Sequence, residues 1–346
     1  MAILAIGAGL AVPALGSSAR PKRQPVYEAP PPPPPPPLPP AGPVGLSDRL
    51  LSDAAAYAAY LERVSATSPA FTSGASVAQA LQAGAAYEPR AFIRGAVAYA
   101  AIAALEDPSF VGQLRAAGNS PDNRRLLVDY IIADPAYVIV NFHASDRAAG
   151  LAKEALGGAG LRLYAAGKTI KQSAYEVQHQ DWSKQEVADR GGRLAAVEAS
   201  SASPVAGPDD QVASLQRAAS GVAPLTIAAA PAEPPYTPLI ARALQVAAIA
   251  ALGEAGDGVY DRLAALAIDD NAASCLHIAK LNLYQCLAVA KPNYEDIFCM
   301  GQHAMADTGS CLAKNAGVAL PLDVAPTPMG VPAVHPAAAR RRRARG

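Results

Sequence analysis

The amino-acid sequence predicts an all-α protein: an irregular array of short helices that follows a Pro-rich N-terminal linker and ends in a disulfide-stapled helical hairpin. Three observations lead there. Apolar residues make up 51% of the 346-residue chain while aromatic residues make up only 5%, so the hydrophobicity comes mainly from Ala, Leu and Val. Alanine is the strongest helix former, and few aromatic or β-branched runs compete with it. Asp107, Ser120 and Asp134 each precede a proline, which puts a capping side chain ahead of the residue best tolerated at the first helical position. All four cysteines fall between Cys275 and Cys311, almost symmetrically about Pro292 and Asn293.

The first 19 residues carry a short apolar run ending in small residues. At about 14 residues it is shorter than the roughly 20 needed to cross a bilayer, and it fits the core of a signal peptide cleaved after Gly16 or Ala19. No Lys or Arg precedes the run, which predicts a start upstream of Met1. A Pro-rich linker, 20–45, follows. Its prolines from Pro30 to Pro40, broken only by Leu38, fix φ and lack amide donors, so they predict a stiff polyproline II spacer.

A helical domain is expected over 46–199. FVGQL, LLVDYII and YVIVNF supply its buried faces; the last, Tyr137–Phe142, is assigned to helix because a lone strand has no partner. Leu163, Ile170 and Val177 form a seven-residue seam that fails at Lys184, too short for a coiled coil. A flexible linker is expected over 200–238, with a short helix near Val212–Ala219. Helices over Leu239–Glu254 and Val259–Ile268 then lead into the hairpin, within a segment spanning 239–318. A disordered basic tail, 319–346, ends the chain.

The cysteine spacing predicts its own pairing. Cys275 and Cys286 are 11 residues apart, three helical turns plus about 20°, so they share a helix face but lie too far apart along the axis to bond. A turn at Lys291–Asn293 reverses the chain. Nested pairing follows: Cys286 with Cys299 near the turn, Cys275 with Cys311 at the open end. Cys311, 12 residues after Cys299, falls about 120° off the ideal face; Gly309 is expected to end the second helix and swing it back. Leu276, Leu283 and Leu287, with Tyr294, Ile297, Phe298 and Met305, form the stripes that seat the hairpin, while His277, Lys280, Tyr284 and Lys291 are expected to face outward. In outline the arrangement resembles the twin-cysteine helical hairpins of small oxidatively folded proteins, at different spacings. A zinc site from Cys299, His303, Cys286 and His277 is the competing reading, but no C-x-x-C pair is present and an even cysteine set reads first as disulfides.

Charge and motifs say little about chemistry. Arg20, Lys22, Arg23 and the five arginines Arg340, Arg341, Arg342, Arg343 and Arg345 carry eight of the 29 positive charges, so residues 24–339 sum to 21 − 29 = −8. An acidic body argues against nucleic-acid binding. Gly167, Lys168 and Thr169 lack the upstream glycine and strand of a phosphate loop. His143, Ser145 and Asp146 read as a helix surface or cap, and Trp182 as a packing anchor. No residue qualifies as catalytic, cofactor-binding or metal-binding. The expectation is an exported bacterial envelope protein, secreted or periplasmic, without a transmembrane helix. It would serve as a noncatalytic scaffold or binding module, meeting an envelope protein or an anionic envelope polymer through its helical body or its arginine tail. The alternative is a periplasmic hydrolase with a site beside the hairpin, where Glu295, Asp296 and His303 are the acid–base candidates.

Overall fold

The computed structural model describes residues 44–143, 145–202 and 206–321. The signal peptide, nearly all of the Pro-rich linker and nearly all of the basic tail lie outside them. The regular structure of the described chain is all helix: α1 (Asp48–Ser65), α2 (Gly74–Ala85), α3 (Pro89–Ala104), α4 (Pro108–Ala117), α5 (Pro121–Ala133), α6 (Tyr137–Asn141), α7 (Ser145–Lys153), α8 (Ala159–Val177), α9 (Asp181–Lys184), α10 (Arg190–Ala202), α11 (Asp209–Ala219), α12 (Pro238–Ala251), α13 (Tyr260–Leu266), α14 (Asp270–Val289), α15 (Asn293–Cys299) and α16 (Thr308–Asn315). Two π-helical stretches join neighbours into continuous rods, Glu154–Gly158 between α7 and α8 and Met300–Asp307 between α15 and α16. Among the described residues there is no strand; a single antiparallel bridge pairs Glu186 with Pro292.

Short polar side chains start many of these helices. Ser47, Ser73, Glu88, Asp107, Ser120, Thr237 and Asp269 each accept a hydrogen bond from an N–H in the first turn, satisfying donors that the helix itself leaves open. Asp107 and Ser120 cap as the sequence predicts. Asp134 accepts from the Ala136 N–H at 2.8 Å, but α6 starts only at Tyr137, two residues past the Pro135 start the pattern suggests. YVIVNF is helical as expected, and the Leu163–Ile170–Val177 seam is buried within α8.

The core is built on α3 and α12, whose alanines are nearly all buried. Small side chains let these two helices sit inside others on several sides, a role that larger residues would prevent. The few aromatics concentrate where α1, α2 and α3 meet: Tyr57, Tyr60, Tyr87 and Phe92 pack with ring centroids 4.7 to 5.1 Å apart. Arg94 donates two bonds to Asp53, at 2.7 and 2.8 Å, tying α3 to α1. The stretch expected as a linker holds α11, which packs on α1 and α3, and then a run free of helix to Thr237 that is fastened where the Ala232 N–H donates to the Asp146 carbonyl at 2.8 Å. Helices on both sides of it share one core, since α12 and α14 both pack on α3.

The hairpin forms with the predicted nested bridges, Cys275–Cys311 and Cys286–Cys299, each with a Cα–Cα separation of 5.7 Å. The reason Cys311 meets its partner differs from the expectation. Gly309 does not end the helix; it lies inside it, within α16. The π-helical stretch corrects the phase instead. Closing rings from i to i+5 puts more residues into each turn, so the 12 residues from Cys299 to Cys311 make about three turns, matching the 11 α-helical residues from Cys275 to Cys286.

The opposite face of this second arm lies against α8 at backbone distance. A Cβ on Gly160 would stand 2.7 Å from the Gly309 carbonyl oxygen, and one on Gly309 would stand 2.5 Å from that of Gly160. Gly167 and Gly301 form the same reciprocal pair, at 2.6 and 2.8 Å. Gly160 and Gly167 are seven residues apart and Gly301 and Gly309 eight, so the arm again carries one residue more than its neighbour over the same two turns. A Gly167→Ala substitution is therefore expected to force the helices apart and cost about 1–3 kcal/mol. Gly112→Ala, in the exposed α4 with nothing within 4 Å of the new methyl, should instead stabilise by up to about 1 kcal/mol. Urea unfolding of the oxidised protein measures both.

Candidate functional site

The residues singled out from the sequence are mostly engaged in structure. All four cysteines are bridged and none is free among the described residues. Glu295 accepts from the Lys291 N–H at 2.8 Å, and His303 Nδ1 bonds Asp307 at 2.7 Å. Asp296 is buried against Arg193, whose guanidinium also reaches the Leu287 and Ala290 carbonyls. Burial outweighs that partner and holds the Asp296 carboxyl up at about 6. The three acid–base candidates thus serve separate contacts. Asp146 accepts from the Tyr236 hydroxyl at 2.8 Å, Ser145 is buried and His143 exposed. Gly167 is the packing glycine described above, Thr169 donates to the Ala165 carbonyl at 3.2 Å, and Trp182 donates to Gln180 at 2.6 Å.

A cleft of about 470 Å³ lies elsewhere, between α1, α3, the first π-helical stretch and the helix-free run. About two turns of α1 bring Ala58, Leu61, Glu62 and Ser65 to one side, because residues three and four apart share a helix face. Tyr99 of α3 forms the floor, Glu154 and Ala155 come from the π-helical stretch, and Ala159 and Arg162 come from α8. Leu225, Thr226, Ile227 and Ala228 close the far side. Thr226 stands at φ 58°, the only non-glycine residue with positive φ among the described residues, a conformation held by its surroundings rather than by its own preference.

Electrostatically the cleft is mixed. Glu62 accepts from Gln211 at 2.9 Å, and Arg162 lies 3.9 Å from Glu154. Tyr99 is pushed up from the ordinary phenol value by burial, so its hydroxyl keeps its proton and can donate or accept. Beneath it, Tyr57 is almost fully buried with a hydroxyl that has no partner; burial and the neighbouring Tyr99 push its pKa far up. Six polar side chains with seven apolar neighbours fit a ligand with an apolar body and a few polar anchors. No sequence pattern marks this place, since its walls come from five segments between Ala58 and Ala228, and each contributing residue is individually unremarkable.

One residue expected to face solvent is buried. Lys280 of α14 is 4% exposed; its Nζ donates to the Ala85 carbonyl at 2.6 Å and stands 3.8 Å from the Tyr87 ring centroid. It closes the C-terminus of α2, where unpaired carbonyls favour a cation. The three-residue step from His277 around α14 points inward because α10 packs on α14 and the last carbonyl of α2 reaches this face, which the hairpin's own periodicity does not reveal. Burial, only partly offset by Glu88, lowers the amine from 10.5 to about 7.

Compared with known proteins, the chain matches no family profile, no curated protein and no solved structure.

The lowered amine gives a signed prediction. Below about pH 7 Lys280 is charged in both states and the folded protein carries the full burial penalty; between about 7 and 10.5 the unfolded chain binds more protons, so stability rises with pH. The wild-type Tm should climb by about 3 °C or more from pH 7 to 9.5. In Lys280→Met that climb should vanish, the Ala85 carbonyl keeping its bond from Ser201 at 3.0 Å. Calorimetry across this range checks it.

Proposed function

We propose that the chain is an exported, noncatalytic binding module of a bacterial cell envelope, secreted or periplasmic, and that the cleft between α1, α3 and the helix-free run is its ligand site. The supporting observation is the cleft's composition. It offers carboxylates, a guanidinium, a phenol and apolar walls, and its lining includes neither histidine nor cysteine. Glu62 and Glu154 are each paired with a neighbour, an arrangement suited to recognition. Export is supported by the two bridges, which persist in oxidising compartments, and by the apolar run at the start of the sequence. No helix among the described residues is long and apolar enough to cross a membrane. The arginine tail, outside the described residues, is proposed as a second, salt-sensitive contact to an anionic polymer or lipid surface.

The test has two parts. Alkaline phosphatase, which itself needs disulfides, is fused after Pro321 at the native locus; activity in the envelope fraction is expected, and a reduced, inactive cytosolic fusion contradicts export. Immobilised oxidised protein is then exposed to envelope extract beside Leu61→Trp, which fills the cleft. Components retained by the wild type and lost by the variant support the module. Equal retention contradicts it, and turnover of a retained component would show an enzyme instead.

A further inference from the structure

The run from Pro224 to Glu233 contains no helix, yet its burial alternates: Leu225, Ile227 and Ala229 are half-buried while Thr226, Ala228 and Ala230 are exposed. That period of two belongs to an extended chain. The inward residues pack on Ala103 of α3 and on Leu151 and Ala155 of the α7 rod. Were the cleft to touch only one face of such a chain, alternate residues would line it. Instead Leu225, Thr226, Ile227 and Ala228 all line it in succession, so the backbone edge itself borders the cavity. The ends of this edge are spoken for. The Leu225 N–H donates to Glu106, the Leu225 carbonyl accepts from Thr226 Oγ1, and the Ala232 N–H donates to Asp146. Between them, no described residue pairs with the backbone N–H or carbonyl groups from Thr226 to Ala229. An unpaired extended edge is a template for another strand.

We infer that the cleft takes an extended peptide segment of a partner protein, which adds as a strand along Ile227–Ala229, just beyond the left-handed Thr226, and places a Lys or Arg side chain toward Glu62 and Glu154. This deepens the binding-module reading and rests on it. Backbone bonds to the edge supply affinity, and pockets for alternate side chains supply choice. The charge requirement comes from the lining: Glu62, Glu154 and Arg162 sum to −1, and Arg162 is already beside Glu154. Apolar Leu61, Ala58 and Ile227 receive the neighbouring side chain, and Tyr99, which lines the cleft, offers a hydroxyl to the peptide backbone. The occupied edge would also hold Thr226 in its left-handed conformation from both sides.

A bead-displayed library of random heptapeptides, capped at both ends, is panned with the full-length oxidised protein. Enrichment of Lys or Arg at one position is expected, and Glu62→Gln should weaken the selected peptides by about fivefold or more. Resynthesis with N-methyl groups on alternate residues then reads the strand geometry, since successive N–H groups in a strand point to opposite sides. One register should lose about tenfold or more in affinity, while the other stays within about twofold. Hydrogen exchange should slow at the amides of 227–229 on binding. Equal loss in both registers, selection without a basic residue, or protection elsewhere would overturn the inference. So would protection of the same amides by concentration-dependent self-association, which would place a second copy there. If no heptapeptide is enriched while Leu61→Trp still abolishes retention of an envelope component, the peptide inference fails and the binding module stands.

Discussion

The arm formed by α15, the second π-helical stretch and α16 is fixed at covalent or backbone distance on two opposite sides, and the rest of the fold is arranged around that constraint. On one side two disulfides hold it to α14. On the other, two reciprocal glycine pairs leave no room for a side chain between it and α8. Neither contact tolerates rotation of the arm. A disulfide needs its Cα atoms within a narrow range, and a glycine seam works only where no Cβ intrudes. The order also reaches the cleft. The α8 helix continues backward into the first π-helical stretch, which supplies Glu154 and Ala155 to the ligand site, and Val318, just beyond the arm, packs on Gly157 of that stretch.

The π-helical winding is the geometric solution to a counting problem. Over the span between the bridges the arm has 12 residues against 11 on α14, and between the glycine pairs it has eight against seven on α8. Both comparisons show one extra residue. An α-helical arm would satisfy one end of each pair and miss the other by about 100°. Spreading the excess over wider turns keeps both faces in register at once, at the expense of poorer packing along the helix axis. Lys171, reaching Gln302 at 2.8 Å, and Gln302, reaching Asp307 at 2.9 Å, knit the outside of the widened turns.

Much of this architecture was legible in the residue order, and the limits have physical causes. Alanine content and proline-led caps give local rules, and local rules predicted the helices at Pro108 and Pro121 well. The cysteine midpoints predicted the pairing because antiparallel geometry makes sequence distance from a turn equal to spatial distance. The same logic could not anticipate the π-helical stretch, and it assigned the phase correction to Gly309, a residue that in fact serves the seam with α8. The role of Gly167 was hidden for the same reason: a phosphate loop is excluded there by the missing upstream glycine and strand, and a glycine demanded by a neighbour distant in sequence leaves no local trace. Lys280 was placed outward because periodicity within one hairpin says nothing about α2 arriving on that face. The cleft was invisible, being assembled from Glu62, Tyr99, Glu154, Arg162 and Thr226, which no motif joins.

The decisive measurement is disulfide mapping of a variant that lacks one residue of the π-helical stretch, Gln302, by mass spectrometry of peptides cut from unreduced protein. If the stretch exists to absorb a single surplus residue, the shortened arm winds as ordinary α-helix and both Cys275–Cys311 and Cys286–Cys299 still form. Recovery of Cys275 and Cys311 as free thiols in that variant, with Cys286–Cys299 intact, would contradict the account.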